Sequence, residues 1–186
     1  TESSFLVDIQ YKISSFLYDE ITEITTYDQA RAYVKIQDGC DNFCSYCLIP
    51  YRRGKSRSRD FDKIIEEAKM LVSMGYKEIV LTGIHVGGYG KDLNSHTFSD
   101  LVEALSSIDN LYRLRISSIE ESEIDDKLIE LIKTKSNIAK HLHIPLQAGC
   151  DTTLKAMNRP YTTKMFYDKL CEIRKAIPDI SISTDV

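Results

Sequence analysis

The sequence has no apolar run approaching the roughly 18 residues that a membrane crossing requires. It has no stretch laid out like a secretory signal, so a reducing cytoplasm is the expected setting. It has no internal repeat and no low-complexity tract, which argues against a solenoid or a disordered chain. It has no basic excess either. The formal net charge is −4, so overall charge does not mark a nucleic-acid binder. It lacks a second Cys-x2-Cys pair, which a structural zinc knuckle would favour, and it lacks an even cysteine count. It begins at Thr1 rather than Met and stops at Val186 in an apolar, strand-like stretch. Both ends look cut, and a fragment of a longer protein is the expectation.

What is present suffices for one domain. The 186 residues are 42% hydrophobic and 28% charged, enough for a single core and too few for two. Residues 1–30 are mixed, with a short apolar face at Phe16, Leu17 and Ile21. They are expected to be a linker or the end of a preceding domain, with residues 31–186 forming the core domain.

From Ala32 a rhythm sets in. Tyr33 to Ile36 alternates as a strand does, and Gly39 ends it. Phe61, Ile64, Ile65, Ala68, Leu71 and Val72 mark one helix face, stopped at Gly75. Ile79 to Leu81 is a buried strand. Phe98, Leu101, Val102 and Leu105 follow at helical spacing, with Thr97 and Asp100 placed as a capping pair. Leu114 to Ile116 is a strand, then a helix runs through Ile124, Leu128, Leu131 and Ile132. His141 to Ile144 is a strand closed by Pro145. A last helix through Phe166, Leu170, Ile173 and Ile177 leads to a strand at Ile180 to Ile182.

Five strands separated mostly by helices predict parallel βαβ units in an α/β fold. Such sheets place ligands beyond the carboxyl ends of their strands. The unusual residues collect there: Gly39 and Cys40, then Gly83, His85 and Gly87, then Ser117, Ser118 and Glu120, then Pro145, Gln147 and Gly149, then Asp185.

Three of the five cysteines, Cys40, Cys44 and Cys47, fall within eight positions. The spacing is C-x3-C-x2-C in a polar loop. Iron–sulfur clusters are usually held by four thiolates. Three thiolates on a four-iron cube leave one iron open to a substrate, as catalytic metal sites require. The alternatives at this point are a zinc site completed by His85 or a distant residue, and a simple electron-transfer cluster. The latter would want a fourth clustered ligand. Cys150 and Cys171 are expected to be buried, small hydrophobes.

With Tyr46 just before the last cysteine, the motif resembles that of the radical S-adenosylmethionine superfamily. The resemblance implies a partial (βα)6 radical-SAM barrel of parallel strands, here expected to lack its last strand. It also implies a 4Fe–4S cluster on Cys40, Cys44 and Cys47, and reductive cleavage of S-adenosylmethionine to a deoxyadenosyl radical. Further stretches narrow it: Lys35 to Cys40, Cys47 to Arg59, Leu81 to His85, Gly88 to Gly90, Arg115 to Glu120, His141 to Asp151 and Leu154 to Arg159. Together they resemble the methylthiotransferases, and nearest the branch acting on threonylcarbamoyladenosine beside the tRNA anticodon. That implies tRNA as partner and an electron donor such as flavodoxin or ferredoxin. A ribosomal-protein methylthiotransferase is the alternative within this chemistry, and a zinc-stabilised RNA-binding module the alternative outside it. The sequence departs from full members of the family. No cysteine precedes Cys40, where they carry three more for a second cluster, and the carboxyl-terminal RNA-binding barrel is not in this chain.

The resemblance sets Tyr46 near the adenine and the loop of Gly83 and His85 near the methionine amino group. Ser117, Ser118 and Glu120 are candidates for ribose hydroxyls, or else a helix cap. Gln147 is a candidate polar lining residue. Arg52, Arg53, Lys55, Arg57 and Arg59 put five of 24 basic residues within eight positions. They suit RNA phosphates or the cofactor carboxylate, or else a solvated loop. His141 and His143 share one strand face and read as structural.

Overall fold

A computed structural model describes residues 30–186. The linker expected over residues 1–30, with Phe16, Leu17 and Ile21, lies outside the described residues except for Ala30. The chain runs β1 (Ala32–Asp38), α1 (Ile49–Arg52), β2 (Arg57–Ser58), α2 (Phe61–Ser73), β3 (Glu78–Gly83), α3 (Phe98–Ser106), β4 (Arg113–Ile116), α4 (Asp126–Thr134), β5 (His141–His143), α5 (Asp151–Ala156), α6 (Thr163–Ala176) and β6 (Ser181–Ser183).

β1 and β3 pair in parallel, as do β3 and β4, and β5 and β6. Parallel bridges Leu114–Ile138 and Ser118–His143 carry the ladder from β4 to β5. The parallel strands therefore stand in the order β1-β3-β4-β5-β6. Between them α2, α3, α4 and α6 pack side by side. This is the expected α/β partial barrel, with five parallel strands among the described residues. One strand breaks the parallel rule: β2 pairs antiparallel with the end of β1, Asp38 opposite Arg57.

Local chemistry explains the helix starts. Each long helix has a side chain that accepts from an otherwise orphaned first-turn amide: Asp60 from Lys63, Thr97 from Asp100, Asp125 from Leu128 and Thr162 from Met165. Thr97 and Asp100 form the expected reciprocal box. Ile124 does not begin α4 as the periodicity predicts. It sits before the Asp125 cap, buried like Ile129, in the positions of a hydrophobic staple.

The core gathers Val34, Ile36, Ile79, Leu81, Leu114 and Leu142 from the strands with Ile64, Leu101, Leu128 and Ile173 from the helices. One charged pair is buried among the apolar groups: Arg59, 3% exposed, donates to Glu67, 5% exposed. Cys171 corrects the expectation of burial. It is exposed on α6, whose buried residues are Phe166 and Ile173. Its neighbour Leu170 leans on the core, and one helical step of about 100° turns Cys171 away. Cys150 is exposed too, in extended backbone just before α5. Among the described residues no helix is long and apolar enough to cross a membrane.

Candidate functional site

The loops after β1, β3, β4 and β5 enclose a cavity of about 240 Å³. Cys40, Cys44 and Cys47 all line it, and all three are free thiols. Tyr46, His85, Ser118, Glu120 and Gln147 line it as well. Gly83 and Ser117 do not. Gly83 packs against Gln37, and the Ser117 amide donates to the Leu81 carbonyl at 3.2 Å.

The loop holding the cysteines is pinned at its root. Gly39 has φ of 73°, and a Cβ there would stand 2.0 Å from the Lys55 carbonyl oxygen. Only glycine allows this close approach with that backbone. The Cys40 amide then donates to the Gly54 carbonyl at 3.1 Å. Gln37, fully buried at the end of β1, ties the neighbouring loops together. Its Nε2 donates to the Gly39 carbonyl at 2.7 Å and to Ser56 Oγ at 2.8 Å, and its Oε1 accepts from the His85 amide at 2.8 Å.

The far side of the loop is held from across the barrel. The Ser45 amide donates to the Met157 carbonyl at 3.1 Å. Asn158 Nδ2 donates to the Phe43 carbonyl at 3.0 Å. Arg159, 8% exposed, donates from Nη1 to Cys44 Sγ at 3.1 Å, from Nη2 to Glu120, and from Nε to the Tyr161 hydroxyl at 3.1 Å. Its guanidinium also lies 5.0 Å from the Tyr161 ring centroid.

On the opposite flank His85 Nε2 lies 2.8 Å from Glu123 Oε1. Burial pulls the imidazole pKa down, but hydrogen bonds to Cys40 and Glu123 outweigh it and raise it to about 10. Burial likewise pushes the Glu123 carboxyl up, and bonds from His85 and Lys91 carry it below its usual range. Gly87 leaves room for this pair, since a Cβ there would stand 2.2 Å from Glu123 Oε2.

The basic run divides in two. Arg53 grips Asp38 with Nε at 2.9 Å and Nη2 at 2.7 Å, and Arg57 stands 3.6 Å from the same carboxylate. Burial pushes the Asp38 carboxyl up, but hydrogen bonds from Lys35, Arg53 and the Gly39 amide hold it below the usual range. Arg59 is locked on Glu67 inside the core. Arg52 and Lys55 are exposed and have no ion-pair partner among the described residues. Beside them Phe43 and Tyr51 are 49% and 63% exposed and meet edge to face at 5.7 Å.

The residues present fit an iron–sulfur cube, since three free thiols line one cavity. Among the described residues no three His, Cys, Asp or Glu are gathered as a single metal ion requires. Three corners of a cube keep their thiolates further apart, around a shared space. The polar groups around the sulfurs suit a charged cluster too, because N–H donors reach two of them: the Asn42 amide to Cys40 at 3.5 Å, and Arg159 to Cys44.

The periodic pattern did not single out Arg159, Asn158 or Gln37. Their signal was faint. Asn158 and Arg159 close the last stretch that carries the family resemblance. Gln37 is a polar side chain where β1 buries three successive residues, Ile36 to Asp38, which strict alternation does not foresee.

The radical SAM superfamily model matches residues 34–186. The threonylcarbamoyladenosine tRNA methylthiotransferase of Bacillus subtilis is 47% identical over 171 residues, covering 91% of this chain and 38% of that protein. The tRNA-2-methylthio-N(6)-dimethylallyladenosine synthase of Desulfitobacterium hafniense is 41% identical over 157 residues, covering 84% of this chain and 35% of that protein. The chain thus spans under two fifths of these relatives' length. Among solved structures, the radical S-adenosylmethionine methyltransferase TsrM of Kitasatospora setae, with cobalamin and a [4Fe-4S] cluster bound, superposes with TM-score 0.61 at 15% identity. That match covers 82% of this chain and 29% of TsrM. The cobalamin-dependent radical enzyme OxsB superposes with TM-score 0.64 at 12% identity, covering 82% of this chain and 23% of OxsB. These two show the fold alone. Strand order, rim cavity and sequence match agree: the chain belongs to the radical SAM superfamily, and its curated relatives there are enzymes named as a threonylcarbamoyladenosine tRNA methylthiotransferase and a tRNA-2-methylthio-N(6)-dimethylallyladenosine synthase.

Proposed function

We propose that residues 31–186 are the core domain of a cytoplasmic tRNA methylthiotransferase, and that Cys40, Cys44 and Cys47 hold its 4Fe–4S cluster. The observation that carries this reading is the opening of all three cysteine side chains onto one cavity at the carboxyl ends of the parallel strands. When bound, the cluster supplies the electron that cleaves S-adenosylmethionine.

The chain's own groups divide the remaining work. Tyr46, half exposed on the cavity wall, offers a ring face to the adenine. Ser118, Glu120 and Gln147 line the same wall and offer polar atoms to the ribose and the methionine end. His85, held by Glu123, flanks Cys40 and closes one side against water. Arg52 and Lys55 offer free charge to RNA phosphates, and Phe43 and Tyr51 offer ring faces to unstacked bases. The 47% identity to the Bacillus subtilis enzyme favours threonylcarbamoyladenosine as the modified nucleoside. A flavodoxin or ferredoxin is the proposed electron donor.

Anaerobic reconstitution with iron and sulfide tests the ligand assignment. The parent chain is expected to bind about four irons and, once reduced with S-adenosylmethionine present, to release deoxyadenosine. Cys44→Ala is expected to lose both. A full cluster in that variant would overturn the assignment, as would a colourless chain that retains zinc. For the substrate, Cys44→Ala is introduced into the whole protein in its host, and tRNA nucleosides are measured by mass spectrometry. Loss of the methylthio group from threonylcarbamoyladenosine is expected. Its loss from a ribosomal protein instead would overturn the tRNA reading.

A further inference from the structure

We propose that Arg159 is a positioning residue that raises the reduction potential of the cluster by holding a cationic N–H against Cys44 Sγ, and that Glu120 moderates it. The inference rests on the reading that Cys40, Cys44 and Cys47 hold the cluster.

The side chain has no freedom to do otherwise. Its three donor nitrogens are each committed: Nη1 to the sulfur at 3.1 Å, Nη2 to Glu120, and Nε to the Tyr161 hydroxyl at 3.1 Å. The Tyr161 hydroxyl in turn lies 3.1 Å from the Pro145 carbonyl and 2.9 Å from that of Leu146. Its proton therefore points to the β5 loop, and its lone pair is left for Arg159. The Arg159 backbone amide donates to the Leu154 carbonyl at 2.9 Å, which locks the residue to α5. A guanidinium stays protonated in proteins whatever surrounds it. The group is a fixed cation in a low-dielectric site.

A structural ion pair would need only Glu120. The third bond, to a sulfur, is what a structural role leaves unexplained. On reduction one electron enters the cluster from an external low-potential donor, and no bond is made or broken. The added negative charge spreads onto the thiolates. A cation and an N–H donor at Cys44 favour that reduced form and so raise the potential. Glu120 opposes them, because its negative charge faces the same guanidinium. The two residues thus push the potential in opposite directions. The other flank, where His85 faces Glu123, is left unchanged, so the test varies only the Arg159 side.

The experiment uses the reconstituted chain as it stands, without S-adenosylmethionine. Parent, Arg159→Met and Glu120→Gln are titrated with dithionite through redox mediators, and the reduced cluster is counted by electron paramagnetic resonance. Iron content is measured in parallel. Arg159→Met is expected to shift the midpoint to more negative potential, and Glu120→Gln to more positive. Full clusters at the parent's midpoint would overturn the proposal, and so would shifts of one sign in both variants. If Arg159→Met fails to fold or to hold iron, Glu120→Gln decides alone: a positive shift supports the proposal and an unchanged midpoint overturns it. A parent chain that takes up no cluster would instead sink the ligand assignment beneath it.

Discussion

Asn158 Nδ2 donates to the Phe43 carbonyl at 3.0 Å although 115 positions separate them in sequence. Both residues sit in left-handed backbone, Phe43 at φ of 47° and Asn158 at 58°. Asn is among the few residues that tolerate this conformation. The contact fastens the cysteine loop after β1 to the turn after α5. Asn158→Gly keeps the backbone and removes the clasp. It is expected to lower stability by about 1 kcal/mol and to speed iron loss to a chelator, with unchanged iron stoichiometry at loading. Urea denaturation and chelator kinetics measure both.

Gly39→Ala sets a methyl group against the Lys55 carbonyl oxygen at 2.0 Å, with φ of 73° already adverse. The neighbour is backbone, so it has little room to yield. A loss of about 2 kcal/mol or more is expected, with weaker cluster uptake because Cys40 follows directly. Gly75→Ala is its contrast: a Cβ there meets nothing within 4 Å, and only the φ of 102° opposes it. A lower urea midpoint for the Gly39 variant than for the Gly75 variant is the expected ranking.

The basic run predicts two different phenotypes. Glu67→Ala removes a buried carboxylate that accepts from Arg59 and is expected to destabilise the fold measurably, read from denaturation. Arg52→Ala and Lys55→Ala are expected to leave stability within about 0.5 kcal/mol. Each should weaken binding of an RNA stem-loop and reduce the slope of log K against log salt by about 1. Binding isotherms at several salt concentrations check this.

Asp100 receives bonds from Lys127 and from the Thr97 amide at the start of α3, and these lower its pKa to about 2. A carboxyl depressed in the folded state contributes stability above its unfolded pKa near 3.9 and loses it as pH falls through about 2. Its side chain is 34% exposed, so solvent screening discounts the shift to about 1 kcal/mol or less. Asp100→Asn is expected to be less stable than the parent at neutral pH, and the gap should close between pH 4 and 2. Urea midpoints across that range test the sign.

Much of this protein was written in its periodicity. Alternation and 3.6-residue spacing located five strands and four long helices, because one face of each must leave water whatever its neighbours are. The cysteine spacing and Tyr46 were likewise visible, since a loop that offers three thiols needs them close in sequence. Other features were out of reach. The antiparallel β2 is only two residues long, and its Arg57 stands opposite Asp38 of β1, 3.6 Å from that carboxylate. Cys171 shares a helix with apolar residues, and only packing decided that it faces outward. The charges after the cysteines look alike in sequence. Tertiary structure sent Arg59 into the core, Arg53 and Arg57 onto Asp38, and left Arg52 and Lys55 outside. Arg159 reached Cys44 for the same reason. The sequence alone determined which segments bury a face and which loop carries sulfur, because those depend on local order. Tertiary structure alone decided the partner of each charge, because ion pairs and hydrogen bonds act over a few ångströms of space, and chain separation does not enter their energy.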